Sequence, residues 1–412
     1  MKASWQITNG TLCSADAIQA RSGLTIRDGR IGEILSGPDT DHGDTLTLNL
    51  HGLAVLPGLI NGHDSLLASY RAPTPRGAPF LNWLAWDNEL KTSKEFQERM
   101  LLEVSDLYTL GAYRNALAGV SFVVDHIPHF VREPYQDDLV VPLLPDYGIS
   151  HSLCSYSLDW GRGARREYEY AREKGLPYIT HIAEGSDPES RSSLRRLDDA
   201  GALGPHSVLV HGIALDESDL DLIAHAGAHL VWCPASNLRL YGKTLPVREA
   251  LERHISVCLG SDAAMFGSQN LLEDLRQARE FYQKHYGAEL APEDLLRMVT
   301  SAPAAAFRVS DRGTLKPGNR ADFVVLSGEV GEGLETIFDT LSPAQIYLVV
   351  IDGKPVYAEE ALEPLFTAMG LLFDRVNAGG KPKLIQKGLR EVLERVSKAT
   401  GQTELSFVPV TL

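Results

Sequence analysis

Several features that mark other classes of protein are scarce in this sequence. It has only four cysteines, which lie far apart and form no CxxC pair: Cys13, Cys154, Cys233 and Cys258. This scarcity excludes a disulfide framework and a thiolate zinc site. No apolar run approaches the roughly 18 residues that a membrane-spanning helix needs, and the N-terminal residues lack the apolar core of a signal peptide. We therefore expect a cytoplasmic location.

Positive charge is also in short supply. Lys and Arg number 39 against 54 Asp and Glu, which gives a formal net charge of −15. A chain with this balance lacks the basic surface of a nucleic-acid-binding protein, and an anionic membrane would repel it. The expected partner is a small-molecule substrate, with neither nucleic acid nor a membrane.

The hydrophobic pattern divides the 412 residues into unlike parts. Both ends contain short alternating strands, and Asp352-Gly353 is a typical hairpin turn. The middle has apolar strands followed by helical stretches, as in βα units around a parallel sheet. At about 250 residues, this middle part has the length of a (β/α)8 TIM barrel. The clearest helical periodicity lies at 95–119, 163–175 and 270–287.

A last amphipathic stretch, KLIQKGLREVLERVSKATG, predicts a C-terminal helix. Its apolar side needs a cover. We expect it either to dock on the chain as a tail or to contact a second copy in a homodimer.

Polar residues end several of the predicted barrel strands. Barrel enzymes build their active sites at the C-terminal ends of the strands, so these side chains are expected to converge on one cavity. Neutral imidazole and carboxylate groups suit zinc, iron or manganese, which predicts a metal site with a general acid or base beside it. The residues concerned are His63, Asp64, Asp125, His126, His129, His181, Glu184, His211 and Asp262.

Together with its wider motifs, the chain resembles the amidohydrolase superfamily, and in particular the branch of cytosine deaminases and triazine hydrolases. The motifs that carry the resemblance are LPGLINGH, THIAEG, VHGIAL, WCPASN, LGSDAAMFGSQN and GTLKPGNRADFVVL. The resemblance implies a distorted (β/α)8 barrel at 58–308 and a small β-sandwich built from 1–57 and 309–375. Residues 376–412 would form a helical tail.

The resemblance also implies a chemistry and its residues. His63, His181 and Asp262 would bind one divalent metal, zinc before iron or manganese. His211 would be a fourth ligand or would orient the attacking water. Asp262 would take a proton from metal-activated water, and Glu184 would protonate the ring or leaving nitrogen. The expected reaction is release of ammonia or an amine from an sp² carbon of a small nitrogen heterocycle.

One motif departs from the family pattern. Where the family has His-x-His, this chain has His63-Asp64-Ser65. Neutral serine is a poor zinc ligand, so the site either holds metal with fewer nitrogen donors, borrows His211 or His126, or has lost metal. In a further interpretation, Ser65 or a water that it holds contacts substrate. Asp64 is a weaker candidate because neighbouring residues of a strand face opposite sides. The alternatives in function are an amide or cyclic-imide hydrolase and a catalytically impaired ligand-binding homologue.

The stretch at 71–90 follows the first barrel strand and allows two interpretations. It is either a lid, whose tryptophans stack on a planar ring and whose Arg71 or Arg76 clamps a carboxylate, or an ordinary long loop. Asn237 either shapes the loop after a barrel strand or faces the cavity. The predicted substrate-binding residues are Trp83, Trp86, His126 and Asn237.

Overall fold

The protein has a mixed α/β fold, as the sequence predicts. A computed structural model describes residues 4–37, 45–71, 79–329, 334–402, 405 and 408–412. An antiparallel-rich sheet from both ends of the chain accompanies a middle part of parallel strands and helices. Within the described ranges, no helix is both long and apolar enough to span a membrane.

The first sheet is built from both chain ends. Its strands pair in the order β16-β17-β15-β14-β13-β5-β1-β2-β3, with β4 beside β1. At the predicted hairpin, Asp352 and Gly353 both have positive φ, 49° and 76°, as this turn requires. The strands are β1 Trp5–Cys13, β2 Ile18–Arg27, β3 Arg30–Ser36, β4 Leu46–Asn49, β5 Leu53–Pro57, β13 Phe323–Glu329, β14 Ile346–Ile351, β15 Lys354–Glu359, β16 Phe373–Ala378 and β17 Lys381–Gln386.

The middle part contains parallel strands that are buried almost throughout. Strands β8 to β12 form one five-stranded sheet, and β6 and β7 form a second sheet. Parallel bridges link Val123 with Leu143 and Asp64 with Asp262. The strands are β6 Leu59–Asp64, β7 Val120–Asp125, β8 Gly148–Ile149, β9 Tyr178–Ile182, β10 Ser207–His211, β11 His229–Trp232 and β12 Val257–Leu259.

The apolar run AVLPGLI, predicted as one strand, is divided between the two parts of the fold. Its first half belongs to β5, which pairs antiparallel with β13, and its second half opens β6, which pairs with β7. Gly58 lies between them, where a Cβ atom would come within 2.3 Å of the Ser121 Oγ. Gly58 approaches Ser121 of β7 so closely that this position requires glycine.

The helices agree with the periodicity in two of three places. Those predicted at 163–175 and 270–287 are confirmed as α5 and α11, each ending at a left-handed glycine. The predicted helix at 95–119 is wrong as a single element, because α2 ends at Arg99 and α3 begins at Val104. The α-helices are α1 Trp83–Lys91, α2 Lys94–Arg99, α3 Val104–Ala116, α4 His129–Arg132, α5 Ala164–Lys174, α6 Pro188–Arg191, α7 Ser193–Asp199, α8 Glu217–Ala226, α9 Pro234–Tyr241, α10 Val247–Glu252, α11 Leu271–Tyr286, α12 Pro292–Met298, α13 Ser301–Ala306, α14 Glu335–Thr340, α15 Glu363–Ala368 and α16 Leu389–Thr400.

The C-terminal part contains more strand than the sequence predicts. The predicted start of a helical tail at residue 376 falls inside β16, and KLIQ belongs to β17, which pairs with β15. Helix α16 begins only at Leu389. Its apolar face is buried, and Arg395 donates to Asp106 of α3 at 2.9 and 2.6 Å. This helix therefore docks on its own chain.

Candidate active site

A pocket lies at the C-terminal ends of the parallel strands. Its volume is about 260 Å³. Most of the predicted site residues line it, together with an aromatic wall. The polar lining includes His63, Ser65, His126, His151, His181, Glu184, His211 and Asp262, and the tryptophans are Trp83, Trp86 and Trp160.

Two strand ends turn into this pocket through a left-handed backbone. His211 has φ 79° and Asp262 has φ 61°, values that residues with a Cβ rarely adopt. Hydrogen bonds from Asp262 N to the His63 carbonyl (2.9 Å) and from Ser65 N to the Asp262 carbonyl (2.6 Å) hold the second turn in place. Strain of this kind is typical of functional sites, where the surrounding structure imposes it.

Three histidines form the centre of the pocket. His63, His126 and His181 each offer a ring nitrogen, and these nitrogens all lie within 4.8 Å of one another. The His126 Nδ1 is 3.4 Å from the His181 Nε2, and the Asp262 Oδ1 is 3.6 Å from the His63 Nε2. Side chains from the ends of β6, β7 and β9 therefore meet in one cluster, and Asp262, which follows β12, adjoins it at His63.

The electrostatics of this cluster suit a divalent metal. Burial and the neighbouring imidazoles hold the pKa values of His63 and His126 well below the ordinary value, and burial lowers the pKa of His181 to about 4. The rings are thus neutral at pH 7, with lone pairs available. In the described part of the chain, the buried His63 Nδ1 has no hydrogen-bond partner. Burial also raises the pKa of Asp262 to about 6, against the opposing effect of His211. Neutral imidazoles beside a carboxylate are a donor set that zinc accepts.

Asp64 faces away from this cluster, as its place in the strand predicts. Its carboxylate accepts from Arg114 Nη2 at 2.6 and 2.7 Å and from Asn115 Nδ2 at 2.7 Å. Asp125 is also turned away and accepts from Leu66 N (3.1 Å) and the Tyr108 hydroxyl (3.0 Å). These two acids stabilise the strand ends from behind.

Glu184 and His211 are joined to a second set of contacts. The Tyr241 hydroxyl donates to Glu184 Oε1 at 2.6 Å, and Trp86 Nε1 donates to the Tyr241 oxygen at 2.7 Å. The His211 Nε2 is 3.7 Å from the same Glu184 oxygen. Burial raises the pKa of Glu184, and the hydrogen bond from Tyr241 opposes that rise.

Asn237 contacts His211 rather than the pocket. Its Oδ1 lies 2.9 Å from the His211 Nδ1. It is absent from the pocket lining that the described residues provide. The stretch around it, predicted to be a loop, is helix α9, so the amide reaches back to the strand end from a rigid element.

The segment after the first parallel strand, predicted to be either a lid or a long loop, contains helix α1. Trp83 packs edge-on against His151, with ring centroids 4.4 Å apart, and Trp86 packs on Phe266 at 4.6 Å. Arg71 pairs with Glu98, and Arg76 lies outside the described residues. His129 lies at 3.5 Å from Asp146 and outside the histidine cluster.

The sequence interpretation missed the pocket residues His151 and Trp160, and it missed Tyr241, which contacts the pocket residues Glu184 and Trp86. His151 follows β8 within the apolar run GISHSLC, so the same strand-end rule could have found it. Trp160 packs on His151 with ring centroids 4.7 Å apart, and Tyr241 ends helix α9. No local pattern marks these two, because only the folded chain brings Trp160 to the pocket and Tyr241 to Glu184.

Comparisons with known proteins agree on one family. The model of the amidohydrolase family matches residues 168–356. A 5-methylthioadenosine/S-adenosylhomocysteine deaminase of Syntrophobacter fumaroxidans is 27% identical over 381 residues, 79% of this chain and 85% of its own. The deaminase of the same name from Pelotomaculum thermopropionicum is 31% identical over 317 residues, 67% of this chain and 72% of its own.

A solved structure has a similar fold. Atrazine chlorohydrolase from Arthrobacter aurescens, complexed with zinc, superposes with a TM-score of 0.74 over 96% of this chain and 99% of its own, at 17% identity. At that identity the similarity concerns the fold alone. With the 31% identical relative and the matching family model, the chain belongs to the amidohydrolase family.

Proposed function

We propose that this protein is a metal-dependent aminohydrolase that releases ammonia or an amine from an sp² carbon of a small nitrogen heterocycle. The observation that carries the proposal is the cluster of buried, neutral imidazoles beside Asp262 and Glu184 in one pocket. The deaminase names of the relatives support the same reaction class.

His63, His181 and Asp262 would hold one divalent cation, and zinc is our choice because the similar chlorohydrolase structure contains it. When bound, such a cation makes water acidic enough to supply a nucleophile near neutral pH. The donor types present agree with this ion, since imidazole nitrogen and carboxylate oxygen are its common ligands.

Asp262 would take a proton from the attacking water, and His211 would orient that water. With a pKa raised to about 6 by burial, the Asp262 carboxylate can take up a proton near neutral pH. The amide oxygen of Asn237 can only accept a hydrogen bond, so the His211 Nδ1 carries the proton and the Nε2 lone pair is left to orient water.

Glu184 would deliver a proton to the heterocycle. Because burial raises its pKa, a larger share of Glu184 carries a proton near neutral pH than in an exposed glutamate. Tyr241 fixes the carboxyl group by its 2.6 Å hydrogen bond, and Trp86 fixes the Tyr241 hydroxyl in turn. We assign Tyr241 a positioning role for the proton transfer.

The aromatic wall favours a flat substrate. Trp83, Trp86 and Trp160 offer faces on which a planar ring can stack. The cavity has a volume of about 260 Å³, which suits a small ring. Because the named relatives deaminate adenosine derivatives, we propose an aminopurine base or nucleoside as the substrate class. An amide or cyclic-imide ring is the second candidate, since the same metal site would open it.

We also infer a domain arrangement. The bridges from Val123 to Leu143 and from Asp64 to Asp262 support one distorted barrel wall that includes both parallel sheets. The barrel would occupy 58–308, with the strands of 1–57 and of the C-terminal part as the accessory β domain. A homodimer stays a prediction.

The function is tested by measuring ammonia release from a panel of aminopurines, pterins and triazines. The assay compares protein with and without zinc. We expect release only with the metal present. Glu184→Gln should keep the metal but lose about 10²- to 10⁴-fold in turnover, since a positioned general acid contributes that much. Glu189→Gln is the matched control, because Glu189 pairs with Arg196 outside the pocket and its loss should leave turnover unchanged.

Normal turnover in Glu184→Gln would remove this residue from proton transfer. Ring opening without ammonia release would favour the amide or imide reaction. Failure of the metal-loaded protein on all these compounds would contradict the aminohydrolase proposal.

A further inference from the structure

We propose that His126, from the second parallel strand, supplies the metal-binding imidazole that the first strand lacks. The assignment rests on the proposed metal-dependent function and adds a ligand set to it. The usual second histidine of the first motif is replaced by Ser65, whose hydroxyl is a poor ligand when neutral.

The strand register places His126 beside the missing group. Asp64 of β6 and Asp125 of β7 are register partners in a parallel pair. The residues that follow them, Ser65 and His126, therefore leave neighbouring strands at the same level. An imidazole at 126 can reach the space that an imidazole at 65 would otherwise occupy.

The distances within the cluster suit shared coordination. Two ligands bound tetrahedrally at 2.0–2.1 Å from zinc are about 3.3–3.4 Å apart. The His126 Nδ1 lies 3.4 Å from the His181 Nε2, and the His63 and His126 ring centroids are 5.7 Å apart. The His126 side chain is also 4% exposed, so its ring is held inside the pocket.

The other candidates have different contacts. His211 has the Asn237 amide at one ring nitrogen and faces Glu184 with the other. Asp64 is paired with Arg114 behind the strand. The ligand set is thus His63, His126, His181 and Asp262, and His211 is left to orient water.

Cobalt titration followed by visible absorption, together with zinc content after dialysis, tests this set in three proteins. Unaltered protein and the His129→Gln control should bind the ion with equal affinity, since His129 lies outside the cluster. Loss of a residue that merely supports a ligand costs 10- to 100-fold in affinity, so His126→Gln, which removes a ligand itself, should cost at least about 100-fold. It should also change the cobalt spectrum.

Unchanged affinity and spectrum in His126→Gln, with metal bound by the unaltered protein, would overturn the assignment and leave the proposed function standing. Absence of binding by the unaltered protein would instead overturn the proposed function. If circular dichroism shows that His126→Gln is unfolded, zinc-edge anomalous diffraction on the unaltered protein decides. Zinc about 2.1 Å from a His126 ring nitrogen supports the assignment, and more than about 3 Å overturns it.

Discussion

The two sides of strand β6 hold buried polar groups of opposite character. Behind the strand, the Asp64 carboxylate, 0% exposed, meets Arg114, 2% exposed, and amide groups of Asn61 and Asn115. In front, the preceding residue of the strand, His63, meets two further imidazoles and the Asp262 carboxylate.

The difference lies in where the compensating cation comes from. Behind β6 the protein supplies it as Arg114, so the buried charge is balanced within the fold. In front, the ion-pair partners of Asp262 and Glu184 in the described part of the chain are His63 and His211, whose pKa values are lowered. Among the described residues, the lone pairs of the histidine nitrogens converge without a permanently charged protein cation among them, and such an arrangement can accept an external metal cation. The charges of the rear cluster, Asp64 and Arg114, therefore balance each other within the fold, and we propose that the front cluster of His63, His126, His181 and Asp262 binds a metal ion.

Removing the rear cation should have the largest effect. Arg114→Met leaves Asp64 buried and unpaired, which should lower the free energy of unfolding by about 3–5 kcal/mol. Urea unfolding of the metal-free protein measures it. The double variant Asp64→Leu/Arg114→Met should recover most of the loss, since the charge is gone as well. A change under about 1 kcal/mol in the single variant would show that the pair is not structural.

Metal removal should distinguish the roles of the two clusters. Because a ligand stabilises only the state that binds it, chelation should lower the free energy of unfolding by about 2.7 kcal/mol when free metal had been at 100 times its Kd. The increment should persist in a folded rear-cluster variant and vanish in His63→Ala. An increment that survives in His63→Ala would place the metal elsewhere.

Tyr241→Phe should have a smaller, purely catalytic effect. It removes a hydrogen bond of about 1.5 kcal/mol to Glu184, so kcat should fall roughly tenfold. That hydrogen bond opposes the raised pKa of Glu184, and without it the pKa should rise further. The value of kcat falls at high pH where the general acid loses its proton, so this fall should move to higher pH. A fall at unchanged pH would mean that Tyr241 only fills space.

Ser65→Ala should have the smallest effect. If His126 has taken over the ligand position, loss of the neutral hydroxyl should change zinc affinity by less than about twofold. The cobalt titration used for His126→Gln measures it. A loss as large as in His126→Gln would make Ser65 a ligand.

The sequence predicts the fold class and much of the pocket because both follow from repeated patterns. Apolar strands ending in His63, His181, His211 and Asp262 point to one edge of a parallel arrangement. Alternation along β6 made Asp64 the weaker ligand candidate, and its carboxylate contacts Arg114 behind the strand. What failed depended on neighbours distant in sequence: the strand β17 needs β15 as its partner, and Tyr241 reaches Glu184 from a helix. The sequence offers both His126 and His211 as substitutes for the missing ligand, and the register of β6 and β7, which favours His126, is known only from the fold.

Elemental analysis of protein purified without chelator tests the central claim most directly, because the ion-pair partners that the described residues offer to Asp262 and Glu184 are histidines with lowered pKa values. The account predicts near-stoichiometric zinc, iron or manganese, and its loss in His63→Ala. Less than about a tenth of an equivalent, with none acquired on soaking, would contradict it, since neutral imidazoles beside a carboxylate are already in the form that binds such an ion.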